Sequence, residues 1–385
     1  MRFFLCLFGC FALAQLSTGA AATSPAIARV TLLRVPDGGL QPQIATDSNG
    51  NVHLIYYTGD PTGGDISYVH SMDGGATFSK PLRVNSHGAS AIAAGNIRGA
   101  HIALGKNGLV HVAWMGSKLA EPKGPGGQAT MLYTHLNASG TAFEPERNMI
   151  QFAYGLDGGG TVAADPAGNV YVIWHAPEPG KEEEANRRVW VARSSDNGNS
   201  FAREKAAWNE PTGACGCCGM GALADADGTL YIQYRSAAQV MNRDTYLLTS
   251  KDHAQTFSGA KLDNWSVGKC VMSTQALLPG PNTAWETKGQ IFFAGPSGKR
   301  GAAPGNSELR KHPALAANAH GDILLAWTEG MAWKKPGTLA WQLYDRNGNP
   351  KSPAGPATGV PALSVPAFSL VGAFARPDGG FTIVY

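Results

Sequence analysis

A short pattern of apolar and polar positions recurs along the chain. An apolar residue followed by Ala leads to a turn that contains Gly, and an alternating stretch after the turn ends on an aromatic residue. In Ile44-Ala45-Thr46-Asp47, for example, the turn reaches Gly50 and the alternating stretch ends on Tyr56. Alternation on both sides of a glycine turn is typical of a β-hairpin. The chain is therefore predicted to be all-β.

The same pattern predicts how many sheets the chain forms. An aromatic residue follows the turn glycine at the same interval in six places: Tyr56, Trp114, Trp174, Tyr234, Trp327 and Tyr385. Between Gly228 and Gly321 there is room for one more copy, from Met272 to Glu286. Spacing of about one four-stranded sheet indicates a radial array of sheets, a β-propeller. Seven hairpins predict seven blades, with six blades as the alternative.

The two ends of the chain carry further expectations. Residues 28–35 have strand character without a hairpin, so we expect them to complete the last blade beside residues 374–385 and close the ring. Residues 1–22 combine Arg2, an apolar run and Ala20-Ala21-Ala22, which is typical of a cleavable export signal. The mature protein, residues 23–385, is then expected to be one propeller domain, monomeric, in the periplasm or outside the cell.

Composition narrows the classes of partner. The 49 glycines and 24 prolines, without a collagen period, fit many tight turns between short strands. The 31 basic and 28 acidic residues are nearly balanced and form no basic stripe, which argues against nucleic acid. After the leader, no apolar run approaches the roughly 20 residues of a membrane helix. The expected ligand is a small molecule, a metal ion or a glycan.

A second motif indicates which kind of propeller this is. Three segments share the order Ser, Asp, a small-residue turn and a final Phe: Ser71 to Phe78, Ser194 to Phe201 and Ser250 to Phe257. They resemble the Asp box of the BNR-repeat, sialidase-like propellers, with Asp73, Asp196 and Asp252 at the shared position. Residues 136–143 resemble a decayed copy without the Asp. The resemblance covers nearly the whole mature chain and implies fold, because Asp boxes are structural turns.

The resemblance also implies a glycoside hydrolase site, and the chain matches it incompletely. Sialidases hold the substrate carboxylate with three arginines and use a Tyr with a partner Glu and an Asp acid. The best-placed candidates for catalysis are Arg98, Asp65 and Glu286, with Asp60 as a second acid. No convincing second and third arginine stands in inner-strand register. Hydrolysis of sialosides or related acidic sugars is therefore the competing hypothesis.

The candidate chemistry lies in a cysteine-rich stretch. Cys215, Cys217 and Cys218 stand between glycines, and Cys270 is the fourth cysteine of the mature chain. Aligned on the turn glycines, Cys218 and Cys270 fall at matching positions of neighbouring blades, as do Met220 and Met272. Residues two apart on a strand point the same way, so the two Cys–Met pairs are predicted to face each other at one mouth of the channel.

Thiols beside thioethers are suitable ligands for a soft metal ion. Copper(I) is the preferred candidate and zinc the second. The predicted ligands are Cys215, Cys217, Cys218, Cys270, Met220, Met272 and His312. The leading hypothesis is thus an exported, sialidase-like propeller that is not a true sialidase and that binds a soft metal or carries out thiol redox chemistry. A third hypothesis is a glycan-binding or scaffold propeller whose cysteines form structural disulfides, as exported proteins often do.

Overall fold

The structure is a computed structural model that describes residue 1 and residues 29–239, 241–280, 282–295, 298–355 and 363–385, of which residues 352–355 are described by their backbone alone. The predicted leader lies, apart from Met1, outside the described residues and stays a prediction. In the described ranges no helix is long and apolar enough to cross a membrane.

The described residues form seven small sheets, which confirms the all-β propeller and seven blades. Blades 1 to 4 each run from an inner to an outer strand in chain order. Their strands are β2 to β5 (Leu40–Thr46, Val52–Asp60, Gly63–Ser71, Leu82–Arg83), β6 to β9 (His101–Leu104, Val110–Met115, Met131–His135, Arg147–Asn148), β10 to β13 (Gly160–Ala164, Val170–Pro177, Arg187–Ser194, Lys205–Ala206) and β14 to β17 (Gly221–Ala224, Leu230–Arg235, Thr245–Ser250, Ser258–Lys261).

Blades 5 and 6 continue the same order, and blade 7 is assembled from both ends of the chain. Their strands are β18 to β21 (Gln275–Leu278, Asn282–Thr287, Gln290–Ala294, Arg300–Ala302), β22 to β26 (Lys311–Ala317, Ile323–Glu329, Gly337–Tyr344, Pro350–Gly355, Ser364–Val365), then β27 (Gly372–Ala375), β28 (Phe381–Val384) and β1 (Val30–Leu33). Short 3-10 turns occur at Pro36–Gly38, Lys106–Gly108, Pro125–Gly127 and Glu184–Asn186.

The ring is closed by the strand that the sequence predicts. Strand β1 pairs in parallel with β28, so that Val30 lies beside Phe381 and Leu33 beside Val384. The backbone N–H of Val35 donates to the carbonyl of Tyr385 at 3.0 Å, which extends the pairing by one step. Residues 30–33 and 381–384 are therefore held in one blade, which joins the two ends of the propeller into a closed ring.

Apolar side chains fill the space between neighbouring blades. The hairpin aromatics Trp114 and Trp174 are fully buried, as sequence alternation requires of residues facing the next blade. The indole N–H of Trp174 donates to the carbonyl of Ala153 at 3.1 Å, so the buried polar atom is satisfied. Trp174 accordingly packs in one cluster with Ala113 and Met115 of the preceding blade.

The three predicted Asp turns connect third and fourth strands. Asp73 accepts hydrogen bonds from the backbone N–H of Thr77 at 2.9 Å and from the Ser71 hydroxyl at 2.7 Å. Asp196 and Asp252 repeat this arrangement with their own Ser and Thr or Ser partners. In residues 136–143, Asn137 accepts from the Thr141 N–H at 3.0 Å and takes the place of the missing Asp. These turns lie at the ends of the blades opposite the channel mouth described below.

The inner strands surround an axial channel of about 460 Å³. Its wall contains mostly apolar residues, and one polar pair is formed by His101 and Thr161, whose Nδ1 and Oγ1 atoms are 3.1 Å apart. Each inner strand begins at the same end of this channel, because each blade is entered from the outer strand of the one before. Segments far apart in sequence consequently meet at that end, which we call the mouth.

Candidate functional site

The mouth is a ring of connecting segments that contact one another in blade order. Arg98, before blade 2, donates to Asp157, before blade 3, at 3.2 Å. The Gly219 N–H, before blade 4, donates to the carbonyl of Ser273, before blade 5, at 3.0 Å. Thr274 Oγ1 lies 3.3 Å from His312 Nδ1 in blade 6. The ring gives the mouth a fixed shape in which side chains from several blades share one environment.

Residues 215–218 form a tight loop in this ring, just before β14. Gly213 has φ +60° and allows the chain to turn into the loop. The Cys215 N–H donates to the carbonyl of Arg235 at 2.9 Å, and the Gly216 N–H donates to Glu184 Oε1 at 2.9 Å. The backbone of the cysteine loop is thus anchored to blades 3 and 4, and its side chains are left to face one another.

Three sulfur atoms meet within this loop. Cys215 Sγ lies 3.3 Å from Cys217 Sγ and 3.5 Å from Cys218 Sγ, and all three lie within 4.8 Å of one another. These separations exceed the roughly 2.05 Å of a disulfide bond, and the four described cysteines are unpaired. Cys215 and Cys218 are buried and Cys217 is partly exposed. The arrangement can offer three sulfur ligands to one ion.

One of the three thiols carries the negative charge most easily. Burial acts to raise the pKa of Cys218, but hydrogen bonds from Cys215 and Cys217, the Arg235 charge and the Ser273 N–H together hold it well below its usual range. Hydrogen bonds with Cys217 and Cys218, and then burial, raise the pKa of Cys215. The pKa of Cys217 is also raised: its hydrogen bond with Cys215 lowers it, but Cys218 and burial outweigh this. Of the three sulfurs, that of Cys218 therefore loses its proton at the lowest pH.

Two buried arginines surround the sulfurs. Arg235 is 2% exposed, and its guanidinium donates to the carbonyl of Arg243 at 2.7 Å. Arg243 is 5% exposed and donates to Glu184 Oε2 at 2.9 Å. Burial acts to lower the pKa of Arg243, yet the charges of Cys215 and Glu184 raise it. Within the described residues, Arg235 Nε and Arg243 Nε and Nη1 are buried without a hydrogen-bond partner.

A buried ion pair lies beside the cysteine loop. Lys311 Nζ is 3.4 Å from Glu286 Oε2 and also donates to the carbonyl of Val271. Burial raises the pKa of Glu286, and the charges of Lys311 and Arg235 oppose this. Next to the pair, burial and then the Lys311 charge lower the pKa of His312 to about 3. His312 is thus a neutral imidazole at the mouth.

The structure shifts the predicted register of the cysteine pairs by two residues. The hairpin of blade 4 closes with Ala224 opposite Leu230, whereas that of blade 5 closes with Leu278 opposite Asn282, so its loop is two residues shorter. Counting back from the strand ends, Cys218 therefore corresponds to Met272 rather than to Cys270. The expectation that Cys218 and Cys270 occupy matching positions is wrong for this reason.

The structure places the other predicted metal ligands in different surroundings. Cys270 is exposed, and a side-chain hydrogen bond with it contributes to the raised pKa of Cys217. Met220 is buried in the apolar cluster between blades 3 and 4, with Tyr171 and Ile232. Met272 and His312 line a small pocket under Trp333. The structure thus brings Cys215, Cys217 and Cys218 into one group, and it gives the two methionines other surroundings.

The three candidate catalytic residues have separate partners. Arg98 pairs with Asp157 at the mouth. Asp65, in blade 1, accepts from the Ala89 N–H and from Asn85 Nδ2, both at 2.8 Å, and so holds the loop that follows β5. Glu286 is 2% exposed beneath Lys311. The contacts of the described residues do not join these three side chains in one site.

Sequence reasoning missed the arginines and the carboxylate around the sulfurs. Arg243 lies in a loop of blade 4 and Glu184 in a loop of blade 3. The two residues are 59 positions apart in the sequence. Arg235 directly follows the hairpin aromatic Tyr234 and is 2% exposed. The sequence position of Arg235 could have indicated its role. A residue directly after a hairpin aromatic is expected to be buried, and a buried arginine needs partners inside the protein.

Comparisons with known proteins indicate the class of fold. No family model and no curated protein matches the chain. Among solved structures, an α-L-arabinanase of Penicillium chrysogenum complexed with arabinobiose is 14% identical over 81% of this chain and 95% of that chain, with a TM-score of 0.52. A protein of unknown function from Dyadobacter fermentans is 14% identical over 82% and 97%, with a TM-score of 0.50.

A microbial sialidase, Hz136, also lies among the similar structures, with 13% identity, 86% and 75% coverage and a TM-score of 0.48. Identities at this level describe the fold alone. The chain is a seven-bladed β-propeller with a fold like that of the Penicillium arabinanase and the Dyadobacter protein. Its mouth carries three clustered cysteines.

Proposed function

We propose that this protein binds a soft metal ion, copper(I), through the sulfur atoms of Cys215, Cys217 and Cys218. The observation that carries the proposal is their mutual distance: three Sγ atoms lie within 4.8 Å of one another in a largely buried loop. Thiolate ligands select soft ions such as copper(I), and three sulfurs suit a low coordination number. The lowered pKa of Cys218 makes its sulfur the most readily available thiolate ligand of the three.

The charges around the loop support the same proposal. Binding one copper(I) to three thiolates places a net negative charge on the metal and its ligands. Arg235 and Arg243 place positive charge near these sulfurs, and some of their buried N–H groups have no hydrogen-bond partner within the described residues. Buried donors without partners are costly unless a ligand satisfies them. A metal–thiolate group that is more negative than the thiols alone would attract these positive charges more strongly.

The donor set favours copper(I) over zinc. Structural zinc is almost always held by four ligands in a tetrahedron. The cysteine loop brings three sulfurs together, and the fourth cysteine, Cys270, lies outside that group. His312, the other expected ligand, is occupied with Thr274 and Asn96. A three-sulfur site is therefore better matched to copper(I).

The test is a titration of the reduced protein with copper(I) under anaerobic conditions, in competition with the chromogenic chelator bicinchoninate. The expected result is near-stoichiometric, tight binding that is lost in Cys218→Ser and Cys215→Ser. The control is Met72→Leu, which removes an exposed thioether in an Asp turn far from the mouth. Wild-type protein that fails to compete with the chelator would overturn the proposal, and tighter binding of zinc than of copper would overturn the metal assignment.

A second candidate function is thiol–disulfide exchange. The observation that favours it is the lowered pKa of Cys218, whose sulfur lies 3.5 Å from that of Cys215 in a Cys-x-x-Cys spacing. Cys218 is 1% exposed, however, and a partner disulfide has to reach the attacking sulfur. An assay of disulfide reduction with the metal-free protein separates the two functions, since only exchange predicts turnover.

A further inference from the structure

The fourth cysteine of the mouth differs from the other three in exposure. Cys270 is exposed, Cys217 is partly exposed, and Cys215 and Cys218 are 2% and 1% exposed. The sulfurs therefore form a series from the surface of the protein to the interior of the cysteine loop. Cys270 and Cys217 are adjacent members of this series, because Cys217 packs against the apolar cluster that contains Val271, the residue after Cys270.

The segment that carries Cys270 is fixed against the cysteine loop. The next residue, Val271, is 3% exposed and packs in one apolar cluster with Cys215, Cys218 and Ala237. Its carbonyl accepts a hydrogen bond from the buried Lys311. On the other side, the Val267 N–H donates to the carbonyl of Met241 at 2.8 Å. Cys270 thus presents its thiol to solvent from a backbone that is held beside the three-sulfur group.

We propose that Cys270 is the residue that acquires the metal ion from an external thiolate complex and passes it through Cys217 to the buried site. This inference rests on the proposed function, and it assigns Cys270 a role in the rate of loading rather than in the bound state. The partner it implies is a copper(I) complex whose own ligands are thiolates, on a small molecule or on another protein.

Each step is an exchange of sulfur ligands and involves no change in oxidation state. The Cys270 sulfur bonds to copper(I), and its proton goes to the donor thiolate that leaves. The Cys217 sulfur then bonds to the metal, and its proton goes to Cys270 as that sulfur is released. The sulfurs of Cys218 and Cys215 bond next, and any remaining donor thiolate leaves as a free thiol with a proton that they release. Copper stays copper(I) throughout.

Direct loading of the buried thiols is disfavoured by their position. Cys215 and Cys218 lie in the apolar cluster under Ala237 and Val271, so a bulky donor complex cannot reach them. A ligand on the surface lowers this barrier, because the metal leaves its donor before it enters the buried loop. The proposal therefore predicts that removing Cys270 affects kinetics and leaves the final affinity nearly unchanged.

The experiment measures loading and affinity of the reduced full-length protein with the copper(I)–glutathione complex, by stopped flow and by chelator competition. In Cys270→Ser the second-order loading rate is expected to fall about tenfold or more, within the range over which related association rates vary. The equilibrium affinity is expected to stay within about threefold of the wild type, which is less than 1 kcal/mol. Cys270→Met, which keeps a soft donor, should recover part of the rate.

The matched control is Lys269→Ser, which changes the exposed residue next to Cys270 without removing a sulfur. An unchanged loading rate in Cys270→Ser would overturn the inference while leaving the metal site in place. A large loss of affinity in that variant would also overturn it, because Cys270 would then be a permanent fourth ligand. Failure of the wild-type protein to bind copper(I) at all would instead remove the proposed function, and the two failures are therefore distinguishable.

Discussion

Gly158, at the entrance to blade 3, packs directly against Gly216 in the cysteine loop. A β-carbon on Gly158 would stand 2.0 Å from the carbonyl oxygen of Gly216, a separation that real β-carbons do not show. The obstacle is backbone and cannot rotate away. The position of the cysteine loop therefore depends on the absence of a side chain in the neighbouring blade.

Replacing Gly158 with Ala is expected to displace the cysteine loop. The added methyl group should cost about 1–3 kcal/mol of unfolding free energy, as overpacking usually does, and should weaken copper(I) binding. Chemical denaturation and the chelator competition measure both effects. Gly301→Ala serves as the control, since no atom lies within 4 Å of its β-carbon position. Equal behaviour of the two variants would contradict the close approach.

The Cys218 thiol should lose its proton at an unusually low pH in the metal-free protein. Its pKa lies well below the ordinary value of 9.0, so thiolate absorbance in the ultraviolet is expected to appear below that pH and to vanish in Cys218→Ser. Because the folded pKa is lower than the unfolded one, this group stabilises the fold above its ordinary pKa. That contribution is lost as the pH falls through the folded pKa. A single titration step near 9 would refute the assignment.

Arg243 should strengthen metal binding without contacting the metal. Arg243→Gln removes a buried positive charge next to Cys215 and Cys217, and we expect copper(I) affinity to fall by about 10- to 100-fold, as for other groups that support metal ligands. Arg188→Gln is the control, because Arg188 is paired with Glu178 at 2.6 Å instead. Chelator competition gives both affinities. If the two substitutions lower affinity equally, the charge argument fails.

The contributions of Lys311 and Glu286 to the free energy of unfolding of the protein should be coupled. Lys311→Met leaves a buried carboxylate without its cation, and breaking such a pair typically costs about 3–5 kcal/mol. Adding Glu286→Gln to Lys311→Met should recover part of this loss, because the second change removes the uncompensated charge. Denaturation midpoints of the single and double variants test the coupling. Strictly additive losses would mean that the two side chains act independently.

The Asp turns should make stability sensitive to acid. Hydrogen bonds from the Thr77 side chain, the Thr77 N–H and Ser71 lower the pKa of Asp73 to about 2, and hydrogen bonds from Ser194 and Ser200 do the same for Asp196. Their contribution is present above the ordinary value of 3.8 and is lost as the pH falls through about 2. Asp73→Asn should therefore flatten the acid-unfolding curve measured by tryptophan fluorescence. The exposed-loop variant Glu182→Gln should leave it unchanged.

The fold could be derived from the sequence because its signals are local. Alternation around each turn glycine, with Tyr56 or Trp114 at the end of the hairpin, needs no knowledge of other blades. The closing strand β1 was predictable for the same reason, since residues 28–35 had strand character and no hairpin partner of their own. Seven hairpins favoured seven blades over the alternative of six, and the structure has seven.

The mouth depended on a different kind of information. The sequence by itself determined that Cys215, Cys217 and Cys218 lie close together, because they occupy four consecutive positions with Gly216. The tertiary structure decided the rest. A hairpin loop shortened by two residues moved Cys270 out of register with Cys218, and the ring of blades brought Arg243, Glu184 and Lys311 to the loop. Contacts between segments so distant along the chain follow from the closure of the propeller, and no local pattern encodes them.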